Sequence, residues 1–240
     1  MIEASKLSKV YKKNIEPVKT VRSDGTSYKR STEYVRAVDG VTFTVAKGEF
    51  VLVVGRSGSG KTTLLSMLGA LTIPTGGAVR LNGEDLGSMS DDVLSRLRGE
   101  YIGFVFQFSG LLPTLNVLEN VMLPTLFVNA KEDAKKRANA RLLDVGLGSK
   151  IQSYPSELSG GELKRAAIAR ALVNDPMLIL ADEPTGDLDI DSEREVMELF
   201  KEINRQGKTI LMVTHNPELS SYASRVIRME KGKITSPRQL

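Results

Sequence analysis

The chain has 240 residues, a formal net charge of +4, 41% hydrophobic and 26% charged residues, a composition typical of a soluble globular protein. It contains no cysteine, which excludes disulfides, thiolate metal ligands and thiol catalysis and favours a reducing compartment. There is no apolar run of bilayer-spanning length and no signal-peptide pattern near the start, so a cytoplasmic location is expected.

Positive charge is concentrated at the start of the chain. Residues 1–36 contain nine Lys/Arg against four Asp/Glu, whereas the other 204 residues contain 24 against 25. A generally basic domain is not indicated, and we expect no nucleic-acid partner. The basic segment is compatible with an anionic membrane surface or, more simply, with a solvated surface hairpin.

The first fifty residues are predicted to be rich in β-structure. Asp24-Gly25 lies between the alternating segments Val18–Ser23 and Thr26–Thr32, and this dipeptide is typical of a two-residue hairpin turn. Val41–Val45 is a further predicted strand.

From residue 50 onward, short apolar runs alternate with helical stretches. The runs lack polar alternation, as strands buried on both faces do. The alternation predicts an α/β fold with a largely parallel, helix-covered sheet. The predicted strands are Phe50–Val54, Ile102–Phe106, Met177–Ala181 and Thr209–Val213, and the helices between them include Lys61–Leu71, Lys131–Val145, Glu162–Val173 and Ser192–Gln206.

Chemically distinctive residues follow each of these strands. Gly55 follows the first and Gln107 the second, Asp182-Glu183 ends the third, and Thr214-His215, with the only histidine, follows the fourth. Because ligands bind at the carboxyl ends of the strands in open α/β sheets, we expect these groups to meet at one edge.

Residues 55–62 match the P-loop pattern, a glycine, four residues and then Gly-Lys-Ser/Thr. The glycines let the backbone curl so that its N–H groups point at phosphate oxygens, and the following helix adds its positive end. Lys61 is expected to reach the β- and γ-phosphates, and the Thr62 hydroxyl to ligate Mg²⁺. The predicted phosphate-binding residues are Gly55, Arg56, Ser57, Gly58, Ser59, Gly60, Lys61 and Thr62.

The acidic pair at the end of the third strand suits catalysis beside this loop. Asp182 is expected to contact Mg²⁺, directly or through water, because Mg²⁺ prefers oxygen ligands. Glu183 is placed to polarise an attacking water. In isolation the pair is equally consistent with two surface carboxylates. Its combination with a P-loop favours a catalytic site.

A second phosphate-binding element opens a later helix. Ser159 and Glu162 form a capping box, and the serine, Gly160, Gly161 and the helix N-terminus together make an anion site. These residues alone leave open whether this element faces the nucleotide of the P-loop.

Leu158–Glu162 resembles the signature motif of the ATP-binding-cassette (ABC) ATPases, and the order of all motifs resembles that family over nearly the whole chain. Ile102–Gln107 and Leu180–Gly186 resemble the branch of macrolide-export and lipoprotein-release ATPases. The resemblance implies one domain, 1–240, with a P-loop NTPase core and largely parallel sheet. It implies a β-rich part over 1–50 with a hairpin inserted at about 12–35, core parts 51–106 and 174–240, and a helical signature subdomain over 107–173.

The resemblance also implies a head-to-tail homodimer in the state bound to ATP and Mg²⁺. Ser159 and Gly161 of one copy would contact the γ-phosphate held by Lys61 of the other. Asp189 would cross the dimer interface. Tyr11 would stack on adenine, and Thr63 would support the α-phosphate.

The family pattern further implies roles for the groups around the γ-phosphate. Gln107 would contact Mg²⁺ or the attacking water and report to a transmembrane subunit. His215 would hold the γ-phosphate and orient Glu183. The apolar region Phe108–Val128 would receive a short helix of that subunit.

The sequence departs from the family pattern at three places. Glu162 stands where glutamine is commoner and adds negative charge, and Asn216 stands where aspartate is usual. The insertion follows Tyr11 directly, so Tyr28 or Tyr34 could take over the stacking role.

We therefore expect a Mg²⁺-dependent ATPase that drives a transporter through permease subunits, peripheral on the inner face of the cell membrane. The alternative is a non-transporting cassette that couples ATP to cell-envelope machinery through a membrane protein. A chromosome or DNA-repair cassette is disfavoured because only 51 residues separate Gln107 from Ser159, too few for a long coiled-coil insertion. A GTPase is disfavoured because no guanine-selecting motif is present.

Overall fold

A computed structural model describes residues 1–14, 18–22, 25–29, 32–128 and 133–238. The strands in these ranges are β1 Ile2–Asn14, β2 Val18–Arg22, β3 Gly25–Lys29, β4 Thr32–Val45, β5 Phe50–Val54, β6 Gly76–Leu81, β7 Glu84–Asp85, β8 Ile102–Val105, β9 Leu178–Asp182, β10 Thr209–Thr214, β11 Arg225–Glu230 and β12 Lys233–Arg238. The α-helices are α1 Lys61–Leu68, α2 Asp91–Tyr101, α3 Val117–Met122, α4 Ala134–Asp144, α5 Gly160–Leu172 and α6 Ile190–Arg205. Short 3₁₀ helices cover Leu86–Ser88, Leu123–Phe127, Gly148–Lys150, Pro155–Glu157 and Pro217–Tyr222.

A six-stranded sheet in the order β12-β11-β5-β10-β9-β8 forms the centre of the fold. All neighbouring pairs are parallel except the antiparallel pair of β11 and β12. This confirms the predicted α/β fold, and it brings the carboxyl ends of β5, β8, β9 and β10 to one edge. Four predicted ends of the central strands were wrong by a residue. Phe106 lies beyond β8 with 41% of its surface exposed. β9 begins at Leu178 and includes Asp182, which pairs with Val213, and β10 includes Thr214.

The central strands are buried on both faces, which explains why their sequences do not alternate. Phe50, Leu52 and Val54 of β5 belong to a hydrophobic cluster shared with α5 and α6. Val51 and Val53 of the same strand belong to a second cluster, shared with α1 and with β1.

An antiparallel sheet in the order β4-β1-β6-β7 covers the second face. β1 and β4 pair from Ile2 opposite Val45 out to Asn14 opposite Thr32, so both ends of the predicted insertion prolong this strand pair. The pairing of β6 and β7 with this sheet was not predicted, because it depends on long-range contacts with β1.

The predicted hairpin is present as the antiparallel pair of β2 and β3. Its predicted turn was wrong by one residue, because Gly25 pairs with Arg22 and belongs to the strand. Asp24 and the side chain of Tyr28 lie outside the described residues.

The predicted helices are present with shifted ends that follow local capping. α1 ends at Leu68, earlier than expected, because Gly69 caps it and Ala70 has a positive φ of 54°. α5 and α6 each begin two residues earlier than predicted, after the caps Ser159 and Asp189. α4 covers Ala134–Asp144, inside its predicted span. None of the helices in the described ranges has both the length and the apolar character to cross a bilayer.

Candidate nucleotide-binding site

The P-loop joins β5 to α1 in a conformation that only glycine permits at key positions. Gly58 and Gly60 have φ values of +76° and +100°. A Cβ on Gly60 would lie 2.1 Å from the carbonyl oxygen of Ala37, and one on Gly55 would lie 2.3 Å from that of Met229. The loop therefore leaves no room for a side chain at Gly55 or Gly60.

Lys61 lies at the centre of the loop with only 5% of its surface exposed. Its Nζ donates to the carbonyl oxygens of Gly55 at 2.7 Å and Arg56 at 3.3 Å, and it lies 3.4 Å from Oε1 of Glu183. The loop thus curls around the ammonium group that is expected to bind phosphate.

Thr62 and Asp182 bring two oxygen atoms together at the start of α1 and the end of β9. The Thr62 hydroxyl donates to Oδ1 of Asp182 at 3.1 Å. Burial raises the pKa of Asp182 and the charge of Glu183 adds to this, whereas the hydrogen bond from Thr62 and the charge of Lys61 oppose it. A hydroxyl and a carboxylate in contact fit Mg²⁺, which binds through one or two protein oxygens plus substrate phosphates.

Glu183 is held in a strained backbone conformation next to the histidine. Its φ is +46°, in the left-handed region that costs a non-glycine residue about 1–2 kcal/mol. Its N–H donates to the carbonyl oxygen of Val213 at 2.9 Å. Its Oε2 accepts the backbone N–H of His215 at 3.0 Å and lies 2.8 Å from Nδ1 of the ring. The contacts with His215 hold this carboxylate in a direction that faces the P-loop lysine.

A cavity of about 770 Å³ opens at this edge of the sheet, within the range of small-molecule sites. Most of the predicted site residues line this cavity. The lining residues are Tyr11, Ala37, Arg56, Ser57, Gly58, Ser59, Gly60, Lys61, Thr62, Thr63, Gln107, Glu183 and His215.

Tyr11 lines this cavity, so the insertion does not remove its ring from the site. Nζ of Lys9 lies 5.3 Å from the ring centroid, a cation–π contact that supports the ring. The same Nζ donates to the carbonyl oxygen of Ile73. Tyr34, the alternative, is 68% exposed and is not among the lining residues.

The signature residues lie elsewhere, outside the lining of the cavity. Ser159 forms the predicted capping box: its Oγ accepts the N–H of Glu162 at 3.3 Å, and Glu162 Oε2 accepts the N–H of Ser159 at 2.8 Å. This hydrogen bond from Ser159 holds the pKa of Glu162 below its ordinary value, and Lys150 lies 3.9 Å from the same carboxylate. Ser159 and Gly160 are exposed, whereas Gly161 packs against Ser192.

Asp189 also lies outside the cavity, as the N-cap of α6. Its carboxylate accepts the N–H of Ser192 at 2.9 Å and the Ser192 hydroxyl at 2.7 Å, and these bonds lower its pKa. Asn216, the second departure from the family pattern, accepts the N–H of Glu218 at 3.0 Å and lies within 3.5 Å of the Glu193 carboxylate. This asparagine therefore caps the 3₁₀ helix that follows.

Sequence reasoning missed three residues at or behind the site. Ala37 lines the cavity through its contact with the P-loop, and an alanine in a strand carries no functional signal. Lys164 of α5 bonds to the backbone of Gln107, and Arg170 bonds to the backbone of the two residues at 109 and 110, although their spacing on the helix resembles that of ordinary surface cations.

The fold and the cavity define a P-loop nucleotide-binding protein. Residues 38–186 match the profile of the ABC transporter family, and the chain belongs to that family. It is an ATPase cassette, and the predicted fold and family are confirmed.

Several known proteins are similar to this chain. The lipoprotein-releasing system ATP-binding protein LolD of Aquifex aeolicus is 48% identical over 81% of this chain and 88% of its own length. The macrolide export ATP-binding/permease protein MacB of Chlorobaculum tepidum is 45% identical over 89% of this chain, which spans only 33% of that relative. A dimeric ATP-binding cassette solved in a post-hydrolysis state with ADP and Pi superimposes with a TM-score of 0.84 at 35% identity, covering 100% of this chain and 99% of that one.

Proposed function

We propose that the protein hydrolyses ATP as a head-to-tail dimer and uses the closure of that dimer to drive transmembrane permease subunits. The observation that carries this proposal is the separation of two phosphate-binding elements in one chain. The cavity contains the P-loop, Gln107, Glu183 and His215, whereas Ser159 and Gly160 are exposed outside it. A second copy must supply Ser159 if the serine is to reach the γ-phosphate, and a similar cassette bound to ADP and Pi has been solved as a dimer.

The residues of the cavity divide the chemistry among them. Lys61 and the P-loop N–H groups would bind the β- and γ-phosphates, and His215 would stabilise charge on the γ-phosphate. Glu183 would accept a proton from the attacking water while His215 holds its carboxylate in place. Thr62 and Asp182, with Gln107, would hold Mg²⁺, which neutralises phosphate charge when bound.

Tyr11 and the signature residues beyond the cavity would complete the nucleotide clamp. Tyr11 would stack on adenine, and Thr63 would support the α-phosphate. Ser159, Gly160, Gly161 and, near them, Glu162 would close over the nucleotide of the other copy, and Asp189 would lie in the interface.

The dimer can be tested by mixing two inactive variants. Lys61→Ala removes the P-loop cation, and Ser159→Arg blocks the signature surface. A mixed head-to-tail dimer has one site with both defects and one site with neither. We expect each variant alone to lack turnover, and an equimolar mixture to recover up to about a quarter of wild-type activity.

The outcome of mixing distinguishes a site shared between two copies from a site within one chain. If both elements served a nucleotide within one chain, no mixture would regain activity, and that result would overturn the head-to-tail dimer. A mixture of wild type with Ser159→Arg and one of wild type with Lys61→Ala control for subunit exchange.

An apolar groove supports docking of a permease helix. The groove, of about 420 Å³, lies beside β8 and is lined by residues that include Phe104, Phe106 and Phe127, with Arg98 and Arg170 at its polar parts. Phe127 is 68% exposed, a position that leaves a large apolar ring in water unless a partner covers it. We place the protein on the inner face of the cell membrane through this contact.

The docking contact can be tested by fractionating cells that contain the native partner. We expect Phe127→Glu to move the protein from the membrane fraction to the supernatant while its own ATPase activity is retained. Leu143→Glu, on α4, is the matched control because Leu143 is 65% exposed outside this groove. Membrane recovery of Phe127→Glu equal to that of the control would refute the docking site.

A further inference from the structure

Two cations of α5 hold the segment that follows β8. Nζ of Lys164 donates to the carbonyl oxygen of Gln107 at 2.5 Å and to that of Phe106 at 3.2 Å. The guanidinium of Arg170 donates to the carbonyl oxygens of Ser109 at 2.6 Å and Gly110 at 2.7 Å. Four of the five backbone carbonyls from 106 to 110 are therefore fixed by one helix.

Lys164 is unusual because it is buried, with 5% of its surface exposed. Burial lowers its pKa, and the charge of Asp187 opposes this shift. An ammonium group in such a place needs hydrogen-bond acceptors, and the two carbonyls supply them. The position of the Gln107 backbone and the position of Lys164 are thus coupled.

The helix that carries Lys164 begins at the signature. Ser159 caps α5, and Lys164 lies one and a half turns further along it. The side chain of Gln107 lines the nucleotide cavity of the same chain. One rigid element therefore connects the surface that would meet the second copy's nucleotide to a side chain in its own cavity.

We propose that Lys164 is a positioning residue for Gln107: it sets the place of the Gln107 side chain in the cavity of its own chain and makes that side chain move with the signature helix. The second part of this proposal depends on the head-to-tail dimer proposed above. Lys164 is not among the residues that line the cavity, and it would act through the backbone of Gln107. Its loss should therefore affect turnover rather than ATP binding.

The first experiment compares Lys164→Met in two backgrounds. Methionine keeps the apolar stem and removes the donors. We expect kcat to fall about tenfold in the wild-type background, with the KM for ATP changed less than about twofold. In the Gln107→Ala background the same substitution should change kcat less than about twofold, because its target is gone. Lys164→Arg should recover most of the activity.

Lys208→Met is the matched control. Lys208 also donates to a backbone carbonyl, that of Asp175 at 3.4 Å, and it pairs with the carboxylate of the same residue at 2.9 Å, but it precedes β10 at the opposite edge of the sheet. The Lys208→Met substitution should leave kcat unchanged. Thermal unfolding of all variants identifies any loss of the fold. An equal loss of kcat from Lys164→Met with and without Gln107, or no loss at all, would overturn the positioning role.

The mixed dimers of Lys61→Ala and Ser159→Arg locate the effect. Their single intact site uses Gln107 of the Ser159→Arg copy and the signature of the Lys61→Ala copy. Lys164→Met should lower turnover when it is placed in the Ser159→Arg copy and leave turnover unchanged when it is placed in the Lys61→Ala copy. The opposite result would mean that Lys164 only shapes the signature surface. If mixing restores no activity, the dimer proposal fails, while the comparison of backgrounds still tests the coupling of Lys164 to Gln107.

Discussion

Glu183→Gln tests the central group of the site, because the glutamine keeps the size of the side chain and removes its charge. In the free protein the Glu183 carboxylate lies 3.4 Å from Nζ of Lys61, with only 12% and 5% of the two side chains exposed. At an effective dielectric of about 20, opposite charges at this distance attract by about 5 kcal/mol before the cost of desolvation is subtracted. We expect the γ-phosphate to compete with this carboxylate for Lys61. Removing the charge should therefore favour ATP binding.

We expect the Kd for ATP to fall about tenfold, which requires only about 1.4 kcal/mol of that attraction to survive desolvation. We expect kcat to fall by about 10²–10⁴, the usual contribution of a general base. Phosphate release measures turnover, and a fluorescent ATP analogue measures affinity. Size-exclusion chromatography at millimolar ATP should show a trapped dimer.

Glu202→Gln is the control for the change of charge, because Glu202 pairs with Arg205 on the exposed side of α6. It should leave both parameters unchanged. Turnover of Glu183→Gln within tenfold of wild type would refute the role assigned to Glu183, and an unchanged Kd would refute the competition between its carboxylate and the phosphate for Lys61.

Three further substitutions test other parts of the site. Tyr11→Ala should weaken ATP binding about 5- to 150-fold, since stacking of a base on an aromatic ring contributes about 1–3 kcal/mol. Tyr34→Ala should leave the Kd from isothermal titration unchanged. Gly60→Ala should abolish ATP binding in the same titration, because its Cβ would lie 2.1 Å from the carbonyl oxygen of Ala37 and its φ is +100°; measurable affinity would mean that the loop can adopt another shape. Glu162→Gln should preserve the capping box and the melting temperature. It should also lower the ATP concentration needed for dimerisation by up to about fivefold, because it removes up to about 1 kcal/mol of repulsion near phosphate. If light scattering shows no change in dimerisation, Glu162 lies away from the nucleotide.

The sequence predicted the functional edge of the sheet because each strand there is a continuous apolar run, and a glycine-rich loop or a polar residue comes at its carboxyl end. Phe50–Val54 was predicted with its observed bounds, and Thr209–Val213 was extended by only Thr214. The pairing of β6 with β1, through which β7 also joins this sheet, was not predictable, because it joins segments that are about seventy residues apart and individually look like loops. The roles of Lys164 and Arg170 could not be predicted for a similar reason, because the sequence of a helix does not indicate which distant carbonyl oxygen a cation on it reaches.

The place of β5 in the central sheet has a consequence for the order in which the molecule can form. β5 ends at Val54, but its two neighbours, β10 and β11, begin at Thr209 and Arg225. A chain that emerges from the ribosome N-terminus first must keep this apolar strand without either partner while about 150 more residues are made. The wall of the nucleotide pocket is therefore among the last parts to be completed, and until then ATP has no finished site that could stabilise the folded state.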